Sequence, residues 1–245
     1  MEEGARLRAP TAPALLVPAV HLLRPVAQWP VISGLKGRLR QSLLGTHIPN
    51  QERARIAREA VNRLTTTTAD LRRLDTEVFL PAMSAGDIAL VPSPPGGTLY
   101  SSFGEHYEFR SWAHSALFRL HAFCRIVMDR MLLDLHGLLG SVGLPTAILG
   151  NEEKRALGDE TYELSRRIWL SHEHAMRYHP FGSAETPRHL TVSYEAGDAV
   201  ERAFVMRALW DVNRYRTVTG TTVEEVWTEE KVLSDCMLLT GRVAI

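Results

Sequence analysis

The chain of 245 residues has no excess of charge of either sign, because 28 basic side chains balance 28 acidic ones. A protein that binds nucleic acid on its own usually carries a basic surplus, which neutralises the backbone phosphates. We therefore expect no direct binding of this chain to nucleic acid. The 45% hydrophobic and 23% charged residues are typical of an ordinary folded protein and not of a disordered one.

Cysteine is scarce, with only Cys124 and Cys236 in the sequence. Two cysteines are too few for a disulfide-rich scaffold or for a zinc site built from cysteines alone. Both lie in apolar stretches, so we expect buried, reduced thiols. Lysine is also rare, and most of the basic residues are arginines, which we attribute to codon usage.

Long apolar runs are missing as well. No segment reaches the roughly 18 consecutive apolar residues that mark a transmembrane helix. The apolar stretch Ala14–Val20 contains a proline and follows two glutamates, unlike a signal peptide. These features predict no membrane partner and a nuclear or cytoplasmic location.

Proline is concentrated at the start of the chain. Five prolines in the first thirty residues argue against a regular helix there: Pro10, Pro13, Pro18, Pro25 and Pro30. We expect residues 1–50 to form a Pro-rich arm with at most a short helix. The remaining residues, 51–245, are expected to form a single all-α domain.

Helical periodicity dominates that domain. Between residues 51 and 80 the pattern favours either two helices separated by the four threonines 65–68 or one kinked helix that ends before Pro81. Residues 81–104 read as a loop. Over residues 108–137 apolar side chains occur most of the way round the helix, which predicts a long, buried central helix.

Three more helices are predicted at 151–178, at 197–217 and after a capping box formed by Thr222 and Glu225. Residues 183–196 are assigned to a loop, because a single strand there would have no partner. The predicted fold class is all-α: an irregular domain of six or seven helices with a long buried central helix.

Motifs for common cofactors and metals are missing. The Rossmann fingerprint, the P-loop and the nucleophile elbow do not occur. A di-iron bundle needs a carboxylate three residues before a histidine, and no histidine has one. A metal site from His172, His179 and Glu173 is geometrically conceivable, but a solvated cluster is the simpler interpretation. We expect no metal and no cofactor.

Several residues are candidates for a functional site. If the protein is an enzyme, His114, His121, Glu108 and Glu173 are the candidate acid–base groups. Trp112, His121 and Trp169 are the candidate ligand-binding residues. The alternative for each is a structural role, such as a histidine whose hydrogen bonds are satisfied within the core.

Four segments carry a resemblance to a known family. They are RRLDTEV at 72–78 before a Pro-Gly-rich loop, YEFRSW at 107–112 before a long apolar helix, AMRYHP at 175–180, and ERAFVMRAL at 201–209. Over about residues 65–215 the chain resembles the helical regulatory (middle homology) region of fungal zinc-cluster transcription factors. The resemblance implies an all-α regulatory fold, and the chain lacks the six-cysteine cluster with which that family binds DNA.

The resemblance leaves three functions open. The chain is a stand-alone regulatory domain that binds a small apolar ligand or a partner protein, as a monomer or a homodimer. It is part of a longer transcription factor. Or it is an enzyme on the same scaffold, an isomerase or cyclase of fungal secondary metabolism. The sequence favours regulation or ligand binding over catalysis.

Overall fold

A computed structural model describes residues 13–44, 47–93, 103–144, 149–177, 181–218 and 226–242. Helices dominate these ranges, which confirms the all-α prediction. Seven of the helices have more than ten residues, and α3 and α6 have five each. The helices are α1 Pro13–Leu43, α2 Asn50–Leu74, α3 Leu80–Ser84, α4 Trp112–Ser141, α5 Asn151–Leu170, α6 His172–Met176, α7 Phe181–Ser193, α8 Ala199–Val218 and α9 Glu229–Leu239.

Helix α4 is the predicted central helix. It packs against α1, α2, α5 and α7, and most of its middle is buried, including Phe118, Ile126 and Met131. The helix begins at Trp112 and not at the predicted residue 108, because residues 105–109 form a β-strand. Ser111 caps the helix by accepting a hydrogen bond from the backbone N–H of His114.

The N-terminal region differs most from expectation, because residues 13–43 form one long helix where a Pro-rich arm with at most a short helix was predicted over 1–50. This helix is α1, which packs against α2 and α4. An interior proline costs a helix about 3 kcal/mol. Burial of Leu22, Ile32, Leu35 and Leu39, each contributing about 1.5–3 kcal/mol, offsets that cost. Residues 1–12 lie outside the described residues.

The segment after α1 agrees with the single-helix alternative at the threonines and differs from it at Pro81, where the helical structure continues. Helix α2 runs through the four threonines without a break, because Thr67 and Thr68 face the core and are buried. It continues into a π-helical turn, Asp75–Phe79, and then into α3, which contains Pro81 in its first turn. A proline is tolerated at that position because the first N–H groups of a helix need no intrahelical partner.

One strand of a small sheet lies in the predicted 81–104 loop, and the other strand includes residues 108 and 109, which were predicted as the start of the central helix. Strand β1, Ile88–Pro92, pairs antiparallel with β2, Glu105–Phe109, and Ile88 lies opposite Phe109. Both of these side chains are buried, so the hairpin is held against the helices by its apolar face.

The predicted loop at 183–196 is also wrong, because α7 occupies Phe181–Ser193 and a 3₁₀ turn covers Tyr194–Ala196. Pro187 lies inside α7 and suppresses its local helical signal. The predicted helix at 151–178 is divided at Ser171 into α5 and α6.

Helix α8 agrees with its prediction. Helix α9 begins at Glu229 and is capped by Thr228, while the predicted capping box at Thr222 lies outside the described residues. None of the helices in the described ranges has the length and apolarity needed to cross a membrane.

The position of α1 in the core can be tested with a pair of leucines. Leu39 is 0% exposed and Leu43 is 46% exposed. We expect Leu39→Ala to lower the free energy of unfolding by about 2–5 kcal/mol, because it leaves a cavity in the core. Leu43→Ala is the matched control and should change it by less than about 1 kcal/mol. Urea denaturation measures both, and equal small effects would show that α1 is a detached arm.

Candidate functional site

A cavity of about 430 Å³ lies between α1, α4, α7 and α9. Its walls are mostly apolar, and they bring together residues far apart in the sequence: Val26 and Trp29 from α1, Phe123 and Val127 from α4, and Leu239 from α9. The Nε1–H of Trp29 donates a hydrogen bond to the carbonyl of Leu239 at 2.7 Å, which ties α1 to α9 beside the cavity.

The polar residues of the cavity lie on α7. They are Glu185, Arg188 and His189. Nδ1 of His189 lies 3.1 Å from Nη2 of Arg119. A guanidinium only donates hydrogen bonds, so Nδ1 accepts and the neutral ring carries its proton on Nε2. Burial, helped by Arg119 and Arg188, holds the pKa of His189 well below its usual value, so the ring is neutral at physiological pH.

Arg119 is a buried cation behind this wall. It is 4% exposed, and burial lowers its pKa to about 10, so it remains charged. Nη2 donates to Oγ1 of Thr186 at 2.7 Å as well as to His189, and Nε has no hydrogen-bond partner. Across the described ranges no carboxylate forms an ion pair with Arg119. Buried charges in proteins are usually paired.

A second buried arginine of α4 is neutralised within the protein. Arg125 is fully buried and forms ion pairs with Asp75 at 3.2 Å, with Asp129 at 3.5 Å and with Glu160. Arg167 pairs with the same Asp75 at 2.6 Å. Burial raises the pKa of Asp129 to about 7.

The π-helical turn places Asp75 in this network. Asp75 is the first residue of that turn, directly after α2, and its two carboxylate oxygens contact arginines from α4 and α5. π-Helical turns are rare and often occur at functional positions. Here the turn serves the ion-pair network that joins three helices.

His121, a predicted site residue, belongs to the core beside this network and not to the cavity. It is 0% exposed, and its Nε2 lies 2.9 Å from the carbonyl of Leu71 and 3.8 Å from Asp75. Burial lowers the pKa of His121 to about 4. The neutral imidazole donates from Nε2 to a backbone carbonyl, which is a structural role, and its Nδ1 has no hydrogen-bond partner.

The other acid–base candidates lie elsewhere. His114 is at the start of α4, where its Nδ1 lies 2.8 Å from Oγ of Ser111. Glu108 and Glu173 meet at Arg177, at 3.8 Å and 2.9 Å. In the described part of the chain no hydrogen bond or ion pair joins either histidine to either carboxylate. The structure therefore brings the two carboxylates together and leaves His114 and His121 apart.

A contact near Glu108 was not predicted. Oγ of Ser93 lies 3.1 Å from Nδ1 of His106, and Nε2 of His106 lies 3.6 Å from Glu108. The second distance is too long for a hydrogen bond, and Nε2 of His106 has no such partner. The three residues thus lack the fixed base–carboxylate contact of a catalytic triad.

The aromatic candidates are also separate from the cavity. Trp169 is buried, donates from Nε1 to Oγ of Ser193 at 2.9 Å and stacks against Phe103. Trp112 is 42% exposed at the start of α4. Neither is among the residues that line the cavity. Arg119 and His189 were not predicted as site residues. The available signal for helix α7 was the helical spacing of Thr186, His189 and Leu190.

Comparison with known proteins identifies no relative, since no family model, no curated protein and no solved structure matches the chain. Within the ranges that the structure describes, no group of three histidine, cysteine or acidic side chains is arranged to hold a metal ion. The cavity with its polar α7 wall is therefore the candidate functional site.

The role of His121 can be tested through the pH dependence of stability. Its folded pKa is lower than the roughly 6.5 of an unfolded histidine. The stability that it contributes is therefore complete above pH 6.5 and is lost as the pH falls toward 4. His121→Gln keeps a donor for Leu71 but does not titrate.

We expect wild type to lose on the order of 2–3 kcal/mol more than His121→Gln between neutral pH and about pH 4. Urea denaturation over a pH series measures this difference, and the other titrating groups are common to both proteins. Parallel stability curves for the two proteins would contradict a buried, neutral His121.

Proposed function

We propose that this protein is a ligand-binding regulatory domain whose cavity between α1, α4, α7 and α9 binds a small apolar molecule. The observation that carries the proposal is the cavity itself: its volume of about 430 Å³ and its apolar walls with a few polar groups on one side are typical of small-molecule sites.

The position of the cavity supports regulation. Helix α1 is the first helix and α9 the last that the structure describes, and both contribute walls. A ligand in the cavity contacts both of them and the central helix α4, so its binding energy favours the arrangement in which the three are packed together. A ligand changes a conformational equilibrium by its difference in affinity for the two states.

The similarity to the regulatory region of fungal zinc-cluster transcription factors supports the same proposal from the sequence. On this proposal the chain acts in transcription regulation in the nucleus of a fungus, and its DNA contact is supplied by another protein or by a zinc cluster encoded with it. Catalysis as an isomerase or cyclase is the weaker hypothesis, because the four acid–base candidates do not converge on the cavity.

Ligand binding can be tested by closing the cavity. Val26 lines it and is 51% exposed, so Val26→Trp places a large ring at the entrance without disturbing the core. We expect wild type to bind the neutral fluorescent probe N-phenylnaphthylamine at a saturable single site, and Val26→Trp to weaken binding at least about tenfold. Fluorescence titration measures both.

Val200→Trp is the matched control, because Val200 is a 65% exposed valine of α8 that does not line the cavity. It should bind the probe like wild type. The binding proposal is wrong if wild type shows no saturable binding or if both variants behave alike. A regulatory response predicts slower amide hydrogen exchange in α1 and α9 when the probe is bound.

A further inference from the structure

We infer that the natural ligand of the cavity is an apolar carboxylate, whose anionic head group accepts a hydrogen bond from Nε2–H of His189, with Arg119 behind that imidazole and Arg188 at the rim. This inference rests on the proposed function, since it names the class of ligand that the same cavity binds.

The first argument is the direction of the hydrogen bonds. Arg119 donates to Nδ1 of His189, which fixes the tautomer with the proton on Nε2. His189 lines the cavity, and Nε2–H is the one hydrogen-bond donor of its neutral ring. A donor polarised by a cation on its far side binds an anionic acceptor more strongly than a neutral one.

The second argument is the unbalanced charge. Arg119 is buried beside two neutral acceptors, Thr186 and His189, and no carboxylate of the described chain forms an ion pair with it. Arg125, six residues further along α4, has carboxylate partners from two other segments. The cavity side of α4 thus keeps a positive charge that the protein does not neutralise, and a ligand carboxylate supplies the missing negative charge.

The third argument concerns the rim, where one carboxylate opposes the inference. Glu185 lines the cavity together with Arg188, and its negative charge favours the charged form of Arg119 from a distance. The negative charge of Glu185 and the positive charge of Arg188 cancel. The charge of Arg119 therefore gives this end of the cavity a net charge of one positive unit. An amine ligand is disfavoured by that charge, and an alcohol gains less from it than a carboxylate does.

The experiment compares three probes with the same apolar chain: decanoate, decanol and decylamine. Displacement of N-phenylnaphthylamine from the 245-residue chain is measured for each at neutral pH, with each competitor below its aggregation concentration. We expect decanoate to bind about tenfold more tightly than decanol, the usual gain from a hydrogen bond to a charged group, and decylamine to bind most weakly. Val26→Trp should weaken the binding of all three at least about tenfold, as it weakens binding of the probe.

Two variants separate head-group recognition from folding. Arg119 is a positioning residue, because it acts on the ligand through His189. Arg119→Met removes the buried charge, so it should lower the affinity for decanoate about tenfold and leave the affinity for decanol unchanged. Glu185→Gln alters an exposed side chain, so the variant is expected to fold, and it should strengthen decanoate binding about two- to threefold.

The outcomes distinguish this inference from the proposed function. If decanoate and decanol bind equally, or if decylamine binds most tightly, the carboxylate inference is overturned and the cavity remains a binding site. If wild type shows no saturable binding of N-phenylnaphthylamine, the proposed function itself fails. If the probe binds but decanoate does not displace it, only the carboxylate inference is overturned. An Arg119→Met variant that loses decanoate and decanol equally would also overturn the inference, because that pattern indicates only damage to the cavity.

Discussion

The structure depends on the neutralisation of Arg125 in the middle of the central helix. A fully buried guanidinium has lost its hydration, and a buried ion pair that loses one partner costs roughly 3–5 kcal/mol. The carboxylates around Arg125 come from the π-helical turn after α2, from α5 and from α4 itself. Helices α2, α4 and α5 can therefore pack in few relative positions, since each must deliver its charged group to the same point. The apolar core favours burial of α4, and the ion pairs fix the register in which it is buried.

Arg119, about one and two-thirds turns earlier in the same helix, is also a buried cation, but its partners are different. Nη2 of Arg119 donates to a hydroxyl and an imidazole, which accept hydrogen bonds without supplying negative charge, and Nε has no hydrogen-bond partner. A neutral His189 suits this position, because an imidazolium beside a guanidinium would add to the repulsion. The fold therefore tolerates Arg119 but does not neutralise it, and the cavity next to it is where a neutralising group has room to bind.

Local patterns predicted the helices whose own sequence carries a clear helical signal, and missed the elements whose local sequence opposes or hides the structure that distant contacts stabilise. The all-round apolar sequence of α4 and the periodicity of α8 were sufficient to place them. Helix α1 contains prolines that oppose a helix locally, and only its burial against α2 and α4 makes the helix favourable. Pro187 hid α7 in the same way. The strands β1 and β2 stabilise each other across a loop, so neither has a partner nearby in the sequence.

The candidate site was harder to predict because it is made of residues that no single segment contains. Trp29 and Leu239 meet across almost the whole chain, and the polar wall is on a helix that was assigned to a loop. His114 and His121 were predicted as acid–base candidates, yet His121 lies in the core beside the Arg125 network and His114 lies at the start of α4. Residues 119 and 125 are about 240° apart around a helix, so α4 presents one arginine to carboxylates of the core and the other to Thr186 and His189 behind the cavity wall. The helix that organises the core is therefore also the helix that leaves one charge for a ligand to neutralise.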